Sequence, residues 1–128
     1  MKSFREIVAW QRAMRLASMV YEYAATLPEN ERFGLGAQIR RAAVSIPSNI
    51  AEGFGRQTRM DFLRFLRTAR GSLYELQTQV ELAQALGMVD RNQELEAMAS
   101  ETDRVLQGFI RGLEDSPPRD GQTDRTSA

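Results

Sequence analysis

Three observations predict an all-α chain folded as an antiparallel, up-down-up-down four-helix bundle. Apolar residues recur three and four residues apart along almost the whole sequence. The interruptions are short and fall at Pro28, at Gly53-Phe54-Gly55 and at Gly87. No stretch offers a strand candidate, and links this short make successive helices antiparallel. With 128 residues the chain supports one domain, and at that size folding buries about two-thirds of the surface the unfolded chain exposes.

The elements follow in order. Ser3 and Glu6 have capping-box spacing, and Ile7, Trp10, Met14, Ala17, Tyr21 and Ala24 then mark a first helix over 4–27. After Pro28-Glu29-Asn30-Glu31, a second helix is expected over 31–53. It contains Pro47, which removes a backbone bond and crowds the preceding turn. Ile39, Ala42, Ile46 and Ile50 keep one apolar stripe across the proline, so a kink at Pro47 is expected rather than a break. Thr58 and Asp61 start a third helix with the seam Phe62, Leu66, Ala69, Leu73, Leu76, Val80 and Ala83, stopped at Gly87. Asp90, three residues before Gln93, is expected to cap a fourth helix carrying Leu95, Met98, Thr102, Val105 and Phe109. The bundle thus covers 1–113. The segment 114–128, with Pro117-Pro118, Asp120-Gly121 and almost no apolar residue, is expected to be a disordered tail. Methionines at 14, 19, 60, 88 and 98 are expected to fill gaps in the core.

The segment 38–56, with its Ser-Ile-Pro-Ser-Asn-Ile-Ala-Glu-Gly string over 45–53, carries a resemblance. Phe33-Gly34-Leu35, Trp10-Gln11, Phe65-Leu66 and the run 71–79 add to it. Together, over roughly 4–90, they resemble the bacterial four-helix-bundle proteins encoded in intervening sequences of large-subunit ribosomal RNA genes. Relatives of that fold include the accessory variability proteins of diversity-generating retroelements, which work beside a reverse transcriptase. The resemblance implies a closed homo-oligomer, a homopentamer, with nucleic-acid association and no established enzyme activity. Gln77 stands where the family pattern calls for an acidic residue.

Composition excludes much chemistry. The chain has no cysteine and no histidine, so disulfides, thiolate metal sites, Ser-His-Asp triads and His-carboxylate metal sites are unavailable within one chain. Its single lysine, Lys2, sits at the terminus. Gly34-Leu35-Gly36 lacks the remaining glycine, lysine and strand context of a phosphate loop. No enzyme activity, cofactor or metal is expected. Neither a signal peptide nor the roughly 20 apolar residues of a membrane span is present, and a cytoplasmic protein is expected.

Two features point to partners. The first helix has a second apolar register, Ala13, Leu16, Val20, Tyr23 and Leu27, beside the first, wider than one bundle seam requires. That register is the candidate oligomer interface; the alternative is a broad core face in a monomer. Charge is polarised beneath a net value of zero: 32–70 holds eight arginines against Glu52 and Asp61, while 71–115 holds three against nine acidic residues. At about 100° per residue, Arg56, Arg59, Arg67 and Arg70 fall in an arc of roughly 80°, and arginine's planar fork suits phosphate. With Arg40 and Arg41 as weaker members, they are the candidate contacts to RNA or DNA backbone. The competing arrangement sets this basic segment against Glu94, Glu96, Glu101 or Asp103, in surface pairs worth about 0–1 kcal/mol each. Open arginines favour a nucleic-acid-associated oligomer. Paired ones favour a protein-protein scaffold for a partner such as a nucleic-acid-processing enzyme.

Overall fold

The computed structural model describes residues 1–116, and within them the chain is all-helical with no strand. The four main helices are α1 (Val8–Ala24), α2 (Leu35–Phe54), α3 (Arg59–Ala85) and α4 (Gln93–Asp115). The expected tail falls mainly at 117–128, outside the described residues; its first two positions, Glu114 and Asp115, continue α4.

Several helix ends differ from the sequence reading. The first helix is divided: Ser3 caps a 3-10 turn, Phe4–Glu6, by accepting from the Arg5 amide, and Ile7 is extended before α1 begins. Ile7 is buried, and burying it needs the chain to turn there, which outweighs a continuous helix. Glu29–Glu31 is likewise a 3-10 turn, and α2 starts only at Leu35, whose amide is taken by the Glu31 carboxylate at 3.1 Å. Thr58 caps α3 as expected, accepting from the Asp61 amide at 3.0 Å. Gly87 follows α3 with φ 73°, a left-handed conformation that costs glycine nothing. The cap of α4 is Asn92, not Asp90: its Oδ1 accepts from the Leu95 amide at 3.0 Å. Asp90 instead offers its carbonyl to the Tyr23 hydroxyl at 2.7 Å.

Each helix packs on two neighbours: α1 on α2 and α4, and α3 on the same two. Every residue of the α3 seam read from the sequence is buried, as are Ile39, Ala42, Ile46 and Ile50 of α2. On α4 the buried line is Leu95, Ala99, Thr102, Leu106 and Ile110, while Met98, Val105 and Phe109 only border the core. The buried Thr102 hydroxyl donates to the Met98 carbonyl, so no polar group is stranded there. Met14 and Met60 lie largely at the surface instead of filling the core.

α2 runs without interruption through Pro47. A small polar cluster sits beside it: the Ser45 and Ser72 hydroxyls are 2.8 Å apart, tying α2 to α3, and the Asn49 amide donates to both the Ser45 carbonyl and its hydroxyl. Further along, α2 and α3 approach so closely that a Cβ on Gly53 would lie 2.7 Å from the Phe65 Cβ. Only glycine fits at that crossing.

Candidate functional site

The arginines chosen from the sequence are not brought together on one open face. Arg56 lies in the loop after α2, where it pairs with Glu52 at 3.5 Å and covers the Phe65 ring at 4.7 Å. Arg64 lies over the same ring at 4.9 Å and bonds Asp61. Arg59 donates to the Ser116 carbonyl, and Arg67 is paired with Glu114. Arg70 donates to Asp103 at 3.3 Å and stacks over Tyr74, whose hydroxyl donates to the same carboxylate. Partial burial opposes the Arg70 charge, but its bonds to Tyr74 and Asp103 hold its pKa above the ordinary value. Arg40 is turned back to the Arg32 carbonyl at 3.0 Å. Arg41 is exposed with no ion pair among the described residues. Two of the α3 arginines, Arg67 and Arg70, therefore face α4 carboxylates: Asp103 was foreseen and Glu114 was not, while Glu101 pairs with Arg12 on α1 and Glu96 with Arg91.

The proposed interface register of the first helix has the opposite fate to that expected. Ala13, Leu16, Val20, Tyr23 and Leu27 are all buried within the single chain, the first three at 0% exposure. A side chain already enclosed by its own bundle has no surface to give a neighbour. Of the register read as core, Ile7 and Ala24 are buried at its ends, but its middle is left outside: Met14 and Tyr21 are 46% and 49% exposed, with Trp10 and Ala17 half-buried between and beside them. Together with Val44, Ala51 and the buried Pro47 of α2, and with Ser18 and Ser48 among them, they line a mostly apolar strip along the outer junction of α1 and α2.

A cleft of about 430 Å³ opens between α3 and α4. Its floor is Leu16 and Val20 of α1 with Leu76, Val80, Leu95 and Ala99; its rim carries Gln77, Glu81, Gln84, Arg91, Glu96 and Ser100. The Arg91 guanidinium binds both Glu96 oxygens, at 3.0 and 2.9 Å, and holds that carboxyl below its ordinary range. Gln84 donates to the Tyr23 hydroxyl at 3.0 Å. No group of carboxylates that would hold a metal ion occurs among the described residues, and no helix there is long and apolar enough to cross a membrane.

Residues 5–108 match the family model described as the 23S rRNA-intervening sequence protein. The chain belongs to that family. Among solved structures, its fold is similar to a protein of unknown function from the S23 ribosomal protein family of Bacteroides thetaiotaomicron VPI-5482. The TM-score is 0.74 at 24% identity, over 81% of this chain and 96% of that one. No match was found among curated proteins.

Within this family member, three features escaped the sequence reading. The exposed strip was misassigned because both α1 registers are apolar, and periodicity does not say which one faces inward. The cleft arises where α3 and α4 part, which is a property of packing. Arg104 and Arg111, one side of α4 beside Gly108, border a shallow surface depression without ion pairs among the described residues; their spacing of seven along a helix could have exposed them as a common stripe.

Proposed function

We propose that this chain is a non-enzymatic, homo-oligomeric scaffold, an antiparallel up-down-up-down bundle whose α2 is kinked at Pro47. The helix order is supported by contacts that climb one helix while descending the next: Arg70 to Asp103 and Arg67 to Glu114 between α3 and α4, Arg12 to Glu101 and Tyr23 to Asp90 between α1 and the α4 side. Self-association is carried by the α1/α2 strip. It leaves Met14, Tyr21 and Val44 nearly half exposed in a mostly apolar patch that the single chain does not cover. The resemblance to the family supports a copy number of five, and the protein partner proposed for it is a cytoplasmic nucleic-acid-processing enzyme. Pairing of Arg67 and Arg70 with α4 carboxylates favours the scaffold over a nucleic-acid groove on that face. Sedimentation equilibrium tests it: a multiple of the chain mass is expected, and Met14→Glu with Tyr21→Glu should lower it.

A second reading, association with RNA or DNA backbone, keeps one observation in its favour. Arg41, Arg104 and Arg111 are exposed cations with no ion pair among the described residues, and the family's description ties it to a 23S rRNA intervening sequence. On this reading Arg104 and Arg111 outrank the α3 arginines as contacts. Titration with RNA across a salt series tests it, since phosphate contacts give a linear fall of log affinity with log salt.

A further inference from the structure

We infer that the surface depression on α4 is a seat for one phosphate group, held by Arg104 and Arg111 over Gly108. The inference deepens the nucleic-acid reading, and it rests on that reading only for the source of the phosphate. The depression, of about 420 Å³, follows α4 from Ser100 to Arg111, with Gln77 of α3 beside it. Gly108 stands four residues after Arg104 and three before Arg111, so the three share one helix face with the glycine between the two cations. An arginine fork matches the oxygens of a phosphate in bidentate fashion. Gln77, Ser100 and Gln107, on the same surface, add neutral hydrogen-bond donors.

The glycine points to a ligand. Within a helix glycine is among the least favourable residues, since it gains no packing and loses the most backbone freedom. Gly53 has a steric reason to be there, as the crossing of α2 and α3 shows. Gly108 has none: a Cβ would meet nothing within 4 Å, and its backbone is ordinary helix. What the missing side chain supplies is depth between two cations, bare backbone against which a phosphate lies within reach of both. Gly112, one turn on and equally open, extends that bare surface.

The carboxylates that would quench these arginines are engaged elsewhere. Asp103, on the edge of the depression, accepts from Arg70 at 3.3 Å and from the Tyr74 hydroxyl at 3.1 Å. Glu114 is taken by Arg67 and Glu101 by Arg12. Asp115, a turn beyond Arg111, lies outside the depression and pairs with neither arginine. With Asp103 cancelled by Arg70, Arg104 and Arg111 leave the depression at a net +2. Arg70 is thus a positioning residue: it holds a competing carboxylate off the seat and does not touch the phosphate.

The experiment measures two probes on the full chain at low salt: inorganic pyrophosphate by equilibrium dialysis and a fluorescent single-stranded RNA by anisotropy. The wild type should bind both. Gly108→Leu, which fills the depression with a good helix former, and Arg104→Gln with Arg111→Gln should each weaken both about tenfold or more, the scale of a lost charge-assisted bond. Circular dichroism should show native helicity in each. Arg15→Gln removes the same charge from an exposed position on α1 and should leave pyrophosphate binding unchanged. Arg70→Gln should weaken binding by a smaller factor, because it frees Asp103, and adding Asp103→Asn should restore it; a loss that the second exchange does not rescue contradicts the positioning role. RNA binding indifferent to the Gly108 and arginine exchanges overturns the seat and leaves the nucleic-acid reading standing. Pyrophosphate lost in those variants, with no RNA bound by the wild type, supports the seat as one for small phosphate esters and overturns that reading. No binding of either probe overturns both. Should Gly108→Leu misfold, the exchanges at the exposed Arg104 and Arg111 decide.

Discussion

At the scale of single residues, the glycines divide into those the fold needs and those it does not. A Cβ at Gly53 would meet the Phe65 Cβ at 2.7 Å and a Phe62 ring carbon at 3.0 Å. Neither is the loose end of a flexible chain. Gly53→Ala is therefore expected to destabilise by about 1–3 kcal/mol through overpacking, despite alanine's better helix propensity. Gly108 and Gly112 lie within α4 with open space where a Cβ would go. Alanine at either should stabilise the protein by about 0.5–1 kcal/mol. Urea denaturation of the three variants checks the contrast, and equal effects would contradict the packing described. Pro47 gives a different kind of prediction. Pro47→Ala restores an amide donor inside α2 and relieves the clash with the preceding turn, so α2 should straighten and shift the register of its ends without unfolding. An unchanged helix axis in the variant's structure would mean that packing against α3, not the proline, sets the path of α2.

At the scale of elements, what the sequence revealed and what it withheld have physical reasons. The α3 seam was fully legible, because one apolar line separated by polar residues admits one inward face. α1 was not, because two apolar registers lie side by side and only the neighbouring helices decide between them. The α4 cap was misread for a similar reason: Asp90, Asn92 and Gln93 all lie near the helix start, and tertiary structure takes the Asp90 carbonyl for Tyr23. Asn92→Ala should accordingly cost about 1 kcal/mol, and Asp90→Ala much less, by thermal unfolding. Tyr23 ties the end of α1 to the α3–α4 link. Burial lifts its phenol above the ordinary value of 10.0; the Gln84 amide pulls the other way, and Asp90 and Glu96 add to the rise. Above that pH the unfolded chain loses the proton more readily than the folded one, so stability present below pH 10 drains away as pH rises through the folded value. Tyr23→Phe should lower stability at neutral pH, because it removes the hydroxyl's bonds to the Asp90 carbonyl and the Gln84 amide, and should flatten the alkaline loss. An alkaline profile identical to wild type would contradict this.

At the scale of the whole molecule, the family and the helical fold were legible in the Ser-Ile-Pro-Ser-Asn-Ile-Ala-Glu-Gly segment and its surroundings, whereas the candidate contacts were not. Arginines close together on a helical wheel were reachable by acids on α4 that no local pattern connects to them. The two readings now differ in a measurable way. If backbone phosphates are bound, Arg104→Glu with Arg111→Glu should weaken RNA binding and flatten its salt dependence by about 0.7–0.9 per lost contact. Arg67→Ala with Arg70→Ala should matter less, since those side chains are already engaged. No binding at low salt by the wild type, across single- and double-stranded RNA and DNA, leaves the scaffold reading alone. The scaffold itself stands or falls on self-association through an apolar strip that one chain leaves bare. Light scattering on the wild-type protein at micromolar concentration tests this most directly: the account predicts a discrete multiple of the 14.5 kDa chain, five on the family resemblance, and a single-chain mass would contradict it.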